Sequence, residues 1–195
     1  MASLTPLMPR QSVPPLSVST VDGGRWTLSE SSATSFTMVV FYRGHHCPIC
    51  AKYLRELERV LDEFAARGVD VIAVSGDVEE RARRAKEDWR LTRLRIGHGL
   101  DLDDARRWGL YISTGIGTTS SGVEEPVLFT EPAVYLVRPD GTLYYGSVQT
   151  SPFARPDFTQ LLAAVDKALA TDYPARGEVV DHHAVLAERD GAHHA

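Results

Sequence analysis

The run Phe36 to Arg43, "FTMVVFYR", is apolar at nearly every position. It leads through "GHHCPIC" into a segment where Leu54, Leu57, Leu61 and Phe64 recur at helical spacing. A strand that is apolar on both faces must be covered on both faces, which places it in the middle of a sheet flanked by helices. A second such run, "VDVIAVS", begins at Val69, just after Gly68, which suits the end of a helix spanning Pro48 to Arg67. Strand, helix, strand in this order makes a right-handed crossover with parallel strands. The chain is therefore expected to be α/β.

The other segments fit around this unit. "LSVST" and "RWTL" flank "VDGG", a hairpin signal near the N-terminus. Asp77, with Glu80 three positions on, predicts a capped helix through "RARRAKEDWRL". "LRIGHG" reads as a short edge strand and "DLDDARRWGL" as a short helix opened by Asp101. Tyr111 to Thr130 lacks periodicity and is expected to be a long loop, of the kind that carries function in compact domains. Its "GIGTTSSG" lacks the lysine of a phosphate-cradling loop. "AVYLV", "RPDG" and "TLYYGSV" predict a hairpin, with Gly141 supplying the positive φ of the turn. Phe158, Leu161, Leu162, Val165 and Leu169 predict a final amphipathic helix with Pro156 in its first turn. Trp89 and Trp108 are expected in the core. Residues 1–175 read as one domain and 176–195 as a polar tail.

The formal net charge of -5 offers no basic face for nucleic acid or an anionic membrane. No segment has the apolar length of a signal peptide or membrane helix, so a cytoplasmic protein is expected. The only two cysteines, Cys47 and Cys50, lie too close together for the framework of a secreted protein, and their spacing points to redox chemistry or metal.

With Pro48 at the first helical position, Cys47 becomes the N-cap and Cys50 the third helical residue. Free N–H groups and the helix dipole favour a thiolate there. Cys50 continues the stripe of Leu54 and Leu57, whereas Cys47 lies outside it. Cys47 is thus expected to be the exposed, low-pKa nucleophile and Cys50 the buried resolving thiol. His45 and His46 are expected to lend positive charge to Cys47. Arg43 could stabilise a thiolate or form a salt bridge at the strand end. Zinc is the rival reading, because His45, His46, Cys47 and Cys50 supply nitrogen and sulfur ligands, but a second cysteine pair is missing. His182, His183, His193 and His194 are expected to be exposed. No metal or other cofactor is implied.

"FYRGHHCPIC" together with "EPAVYLVRPDGTLYYGSV" resembles the peroxiredoxin-like proteins of the alkyl hydroperoxide reductase C and thiol-specific antioxidant (redoxin) family. The resemblance runs from about Val13 to Gly177. It implies a thioredoxin-like fold, with a central mixed β-sheet flanked by helices and an N-terminal β-hairpin. It also implies reduction of hydroperoxides or disulfides, a thioredoxin- or glutathione-type electron donor and a possible homodimer. Pro132 would occupy the cis-proline position facing the cysteines. The family's P-x-x-x-T/S-x-x-C signature puts the peroxidatic cysteine at Cys50, with Arg43 in place of the proline and Cys47 in place of the threonine. The family's second arginine falls on Pro132. The alignment thus nominates Cys50 for attack on peroxide, while the helix-start argument nominates Cys47. The alternatives are a thioredoxin-like disulfide reductase lacking peroxidase activity and a non-catalytic zinc-binding or interaction module.

Overall fold

A computed structural model describes residues 5–186. At its centre lies β3 (Phe36–Phe41), in which all six residues are buried. It pairs in parallel with β4 (Val69–Val74) and antiparallel with β8 (Ala133–Val137). β1 (Ser17–Thr20), β2 (Arg25–Thr27), β5 (Arg95–His98) and β9 (Leu143–Val148) complete a seven-stranded mixed sheet in the order β2-β1-β5-β4-β3-β8-β9. This is the expected thioredoxin-like architecture.

The two-residue period of β3 assigns its side chains to different cores. Met38 and Val40 pack with Leu54 and Leu57 of α1 (Pro48–Arg59), Phe64 of α2 (Leu61–Ala66), Ala82 and Ala85 of α3 (Glu79–Asp88), and Val165 of α5 (Phe158–Thr171). Val39 and Phe41 face the opposite core, with Ala105 of α4 (Leu102–Arg107), Trp108 and Tyr135. Trp89 and Trp108 are core residues as expected. Both hairpins form, and Gly141 has the positive φ, 80°, that its turn requires. Asp101 caps α4 by accepting from the Asp103 N–H at 2.7 Å.

Several expectations need correction. The helix from Pro48 breaks at Val60 (φ -109°, ψ 11°), though the apolar stripe continues across the break because Leu57 and Phe64 reach the same core. β5 is an interior strand: β1 of the N-terminal hairpin pairs with it, Thr20 opposite Gly97. A Cβ at Gly97 would lie 2.7 Å from Val18 Cγ2, so glycine permits this close approach. Asp77 does not cap α3, whose N-cap is Val78 without a side-chain bond. Asp157 caps α5, accepting from the Gln160 N–H at 2.9 Å, and Pro156 precedes the helix. Segment 111–130 is not wholly irregular, since β6 (Ile112–Thr114) and β7 (Leu128–Thr130) form a separate two-stranded sheet.

Leu57 is fully buried where α1 meets the sheet. Leu57→Ala is expected to lower unfolding stability by about 2–5 kcal/mol in urea titrations while leaving the cysteine turn in place.

Candidate active site

The cysteines sit where the chain leaves the C-terminal end of β3, at the edge to which α/β sheets deliver their ligand-binding loops. Pro48 opens α1 and Cys47 is its N-cap, with Cys47 Sγ accepting the Cys50 N–H at 3.3 Å. The two cysteines approach to 2.9 Å and both are free thiols. The turn is held from below by Asp77, whose carboxylate accepts the His45 N–H at 2.7 Å and pairs with Arg81 at 3.2 Å. Gly44 is required here: its φ is +134°, and a Cβ would lie 2.8 Å from the Asp77 carboxylate oxygens. Burial pushes the Asp77 carboxyl above its ordinary range, opposed by the His45 N–H and the Arg81 guanidinium.

The two sulfurs are electrostatically unequal. A hydrogen bond from the Cys50 thiol, opposed by burial and supported by the Cys50 N–H, Arg155 and Arg43, lowers the Cys47 pKa from 9.0 to about 6. Burial, followed by the hydrogen bond to Cys47 and the charge on Cys47, drives Cys50 well above the ordinary thiol value. One sulfur therefore holds a negative charge at neutral pH while the other holds a proton. The expected exposure of Cys47 is not found, since Cys47 is 1% and Cys50 0% accessible. The Cys50 thiol, with the helix-start N–H behind it, lowers the Cys47 pKa without the sulfur being exposed, because neighbouring segments close over it.

One of those segments carries the residue that sequence reasoning missed. Arg155, in the irregular stretch between β9 and α5, donates from Nη2 to Cys50 Sγ at 3.2 Å and to Cys47 Sγ at 3.8 Å. Its guanidinium lies 5.1 Å from the ring centroid of Tyr53, whose hydroxyl donates to the Pro156 carbonyl at 2.7 Å. Arg155 and Cys50 are 105 positions apart, and "SPFARP" has neither periodicity nor a motif to mark it.

The other segment is the β6–β7 hairpin. Arg43 pairs with Glu125 at 3.2 Å and approaches Glu131 at 3.5 Å, its guanidinium 4.5 Å from the Phe129 ring centroid. Arg43 thus forms the expected salt bridge and acts on Cys47 only as the last of the contributing charges. His46 is fully buried against Phe129, with both ring nitrogens lacking hydrogen-bond partners. Burial, reinforced by the charge of Arg43, lowers its pKa to about 4. The expected positive charge on His46 is therefore corrected to a neutral ring. His45 turns away to Asp88 at 2.8 Å. Pro132 precedes β8, and its carbonyl accepts the Gln149 N–H at 2.9 Å. Its expected cis bond is corrected: no cis peptide occurs among the described residues.

Among the described residues, no three His, Cys, Asp or Glu side chains converge as a metal site. His182 and His183 are exposed, and His193 and His194 lie outside the described residues. No described helix is long and apolar enough to cross a membrane.

Titrating the reduced protein by thiolate ultraviolet absorbance is expected to give one transition near pH 6, because a lowered pKa populates the Cys47 anion above that value. The second thiol should remain protonated beyond 9.0. Arg155→Met should move the first transition upward, and two transitions near 9.0 would contradict this electrostatic assignment.

A sequence profile of the AhpC/TSA family matches residues 9–146. No curated protein matches the chain in sequence. Among solved structures, the peroxidoxin BcpB from Mycobacterium tuberculosis superposes with a TM-score of 0.64 at 16% identity, covering 83% of this chain and 97% of that one. A peroxiredoxin-like protein from Aquifex aeolicus gives 0.66 at 16%, covering 84% and 90%. The reduced 2-Cys peroxiredoxin of Plasmodium vivax gives 0.69 at 14%, covering 86% and 84%. The profile match spans most of the chain, and the chain belongs to the AhpC/TSA family of thiol-based oxidoreductases.

Proposed function

We propose that the protein reduces hydroperoxides or disulfides by cycling between the Cys47–Cys50 dithiol and its internal disulfide, with Cys47 attacking first. The supporting observation is the contact between a low-pKa sulfur at a helix N-terminus and a second sulfur that retains its proton. With a hydroperoxide, the Cys47 thiolate attacks the terminal oxygen and the O–O bond breaks. The alkoxide leaves and takes a proton from solvent, and Cys47 becomes a sulfenic acid. Cys50 then gives up its proton and bonds to the Cys47 sulfur, while hydroxide departs as water. With a disulfide, the same thiolate displaces one thiolate to form a mixed disulfide, from which Cys50 displaces the second thiol. Either sequence moves two electrons from the protein to the substrate. A thioredoxin- or glutathione-type donor returns them, in keeping with the expected cytoplasmic setting.

Arg155 takes the place of the family arginine lost at Pro132. Its Nη2 lies on the sulfurs, and its Nη1 is buried without a partner. That arrangement suits stabilisation of the charge leaving a substrate O–O or S–S bond. Pro48 fixes the start of α1. Arg43 and His46 support the turn from beneath the β6–β7 hairpin, and Pro132 anchors the β8 side.

Cys47→Ser is expected to abolish reaction with hydrogen peroxide and with hydroxyethyl disulfide. Cys50→Ser should retain a single-turnover reaction but form no internal disulfide, leaving Cys47 as a sulfenic acid or a mixed disulfide until an added thiol reduces it. Turnover surviving both substitutions would sink the dithiol cycle.

A further inference from the structure

Among the described residues, every arginine but three has a carboxylate, carbonyl, hydroxyl, sulfur or aromatic ring as partner. The three without one, Arg55, Arg59 and Arg90, line a single cavity of about 380 Å³ together with Lys52 and Glu56. Lys52, Arg55 and Arg59 fall at positions i, i+3 and i+7 of α1, exposed on the side away from the buried Leu54 and Leu57. Lys52 and Glu56 approach each other only to 4.0 Å. Four cations and one carboxylate leave the cavity with a charge of +3, on a chain whose formal charge is -5. Elsewhere on the surface arginines are set against acids, as Arg83 and Arg84 are against Glu79 and Glu80 one turn earlier in α3. The dipole of α1 favours Arg59 in the last turn, but it does not account for Lys52 or Arg55. Arg90 is held there against its backbone preference. It follows the C-cap Trp89 of α3 with φ 57°, its N–H bonded to the Glu87 carbonyl at 3.0 Å and the Leu91 N–H to the Lys86 carbonyl at 2.9 Å. Glycine is the usual residue at such a helix end, because a Cβ is disfavoured in the left-handed region. The Arg90 side chain has no hydrogen bond, ion pair or ring contact to offset that cost, yet it brings a third guanidinium to the α1 face.

We propose that this cavity binds the diphosphate group of a small molecule. Guanidinium forks match phosphate oxygens in pairs, and an anion spanning the cavity relieves the repulsion among cations that lack acids of their own. A single phosphomonoester carries a charge of about -1.5 to -2 near neutral pH, so two joined phosphoryl groups match three arginines and a lysine better than one. The cavity is at the small end of ligand pockets, with room for a diphosphate whose substituent extends into solvent. The overall negative charge of the chain opposes nucleic acid. None of the large exposed apolar side chains lines the cavity, so a protein partner would find no hydrophobic anchor there. Binding is ionic, involves no covalent step, and is independent of the dithiol cycle proposed above.

The test is calorimetric titration of the reduced full chain with sodium pyrophosphate, ADP and orthophosphate in turn, without magnesium. An ionic strength of about 0.15 M screens exposed charges beyond about 8 Å, which suppresses non-specific attraction. Pyrophosphate should bind at least about tenfold more tightly than orthophosphate. ADP binding as tightly as pyrophosphate assigns the site to nucleoside diphosphates, and weaker ADP binding assigns it to the free diphosphate. The double variant Arg55→Gln with Arg59→Gln should weaken pyrophosphate binding at least about tenfold, while Glu56→Gln, which removes the acid of the cavity, should tighten it. Arg90→Gly suits the left-handed backbone and keeps the fold, so the expected loss of at least about fivefold in affinity reports the side chain alone. Absence of pyrophosphate binding, equal affinity for pyrophosphate and orthophosphate, or unchanged affinity in Arg90→Gly or in the double variant would overturn the site.

Discussion

The site depends on the hydrogen bond from the Cys50 N–H to Cys47 Sγ. It holds Cys47 Sγ against the first turn of α1, where the Cys50 thiol is the largest contributor to stabilising negative charge on that sulfur and the Cys50 N–H and the Arg155 guanidinium add to it. The same geometry places Cys50 deeper, under the sheet, where desolvation keeps its proton in place. Two electrostatically unequal thiols thus arise from a single helical turn, and the proposed cycle uses them as nucleophile and resolving thiol. Their difference comes from electrostatics, since both side chains are almost equally inaccessible.

The fold keeps that turn from relaxing. β3 is buried from end to end between a parallel and an antiparallel neighbour, so the point at which the chain leaves the sheet is fixed on both sides. Asp77, from the loop after β4, then occupies the space left by Gly44 and binds the His45 N–H. Replacing that carboxylate would leave the His45 N–H without its partner and Arg81 with only the Glu124 carbonyl, at a cost of about 1–3 kcal/mol. The covering segments bring charged groups to the site, Arg43 paired with Glu125 on one side and Arg155 on the sulfurs on the other.

Much of this was legible in the sequence because it is encoded locally. The apolar run of β3, the stripe of α1 and the proline after Cys47 specify strand, helix and N-cap without reference to distant residues. What escaped depends on tertiary neighbours. Asp77 has the sequence of a helix cap yet serves the cysteine turn, and Pro156 lies one residue before the cap that Asp157 supplies. β5 has the length of an edge strand but acquires a second partner from the N-terminal hairpin. His46 could be expected to carry charge until Phe129 and the β6–β7 hairpin closed over it. Arg155 is the largest omission, because a single arginine in an irregular stretch leaves no periodic trace and its partners are over a hundred positions away.

The most direct test of the account is to locate the first sulfur oxidised. Each single cysteine-to-serine variant, fully reduced, is treated with one equivalent of hydrogen peroxide in the presence of dimedone, and the sulfenic acid adduct is mapped by mass spectrometry. Rapid adduct formation on Cys47 in Cys50→Ser, with little on Cys50 in Cys47→Ser, is the predicted result. Faster trapping on Cys50 would contradict the assignment of Cys47 as the attacking thiolate.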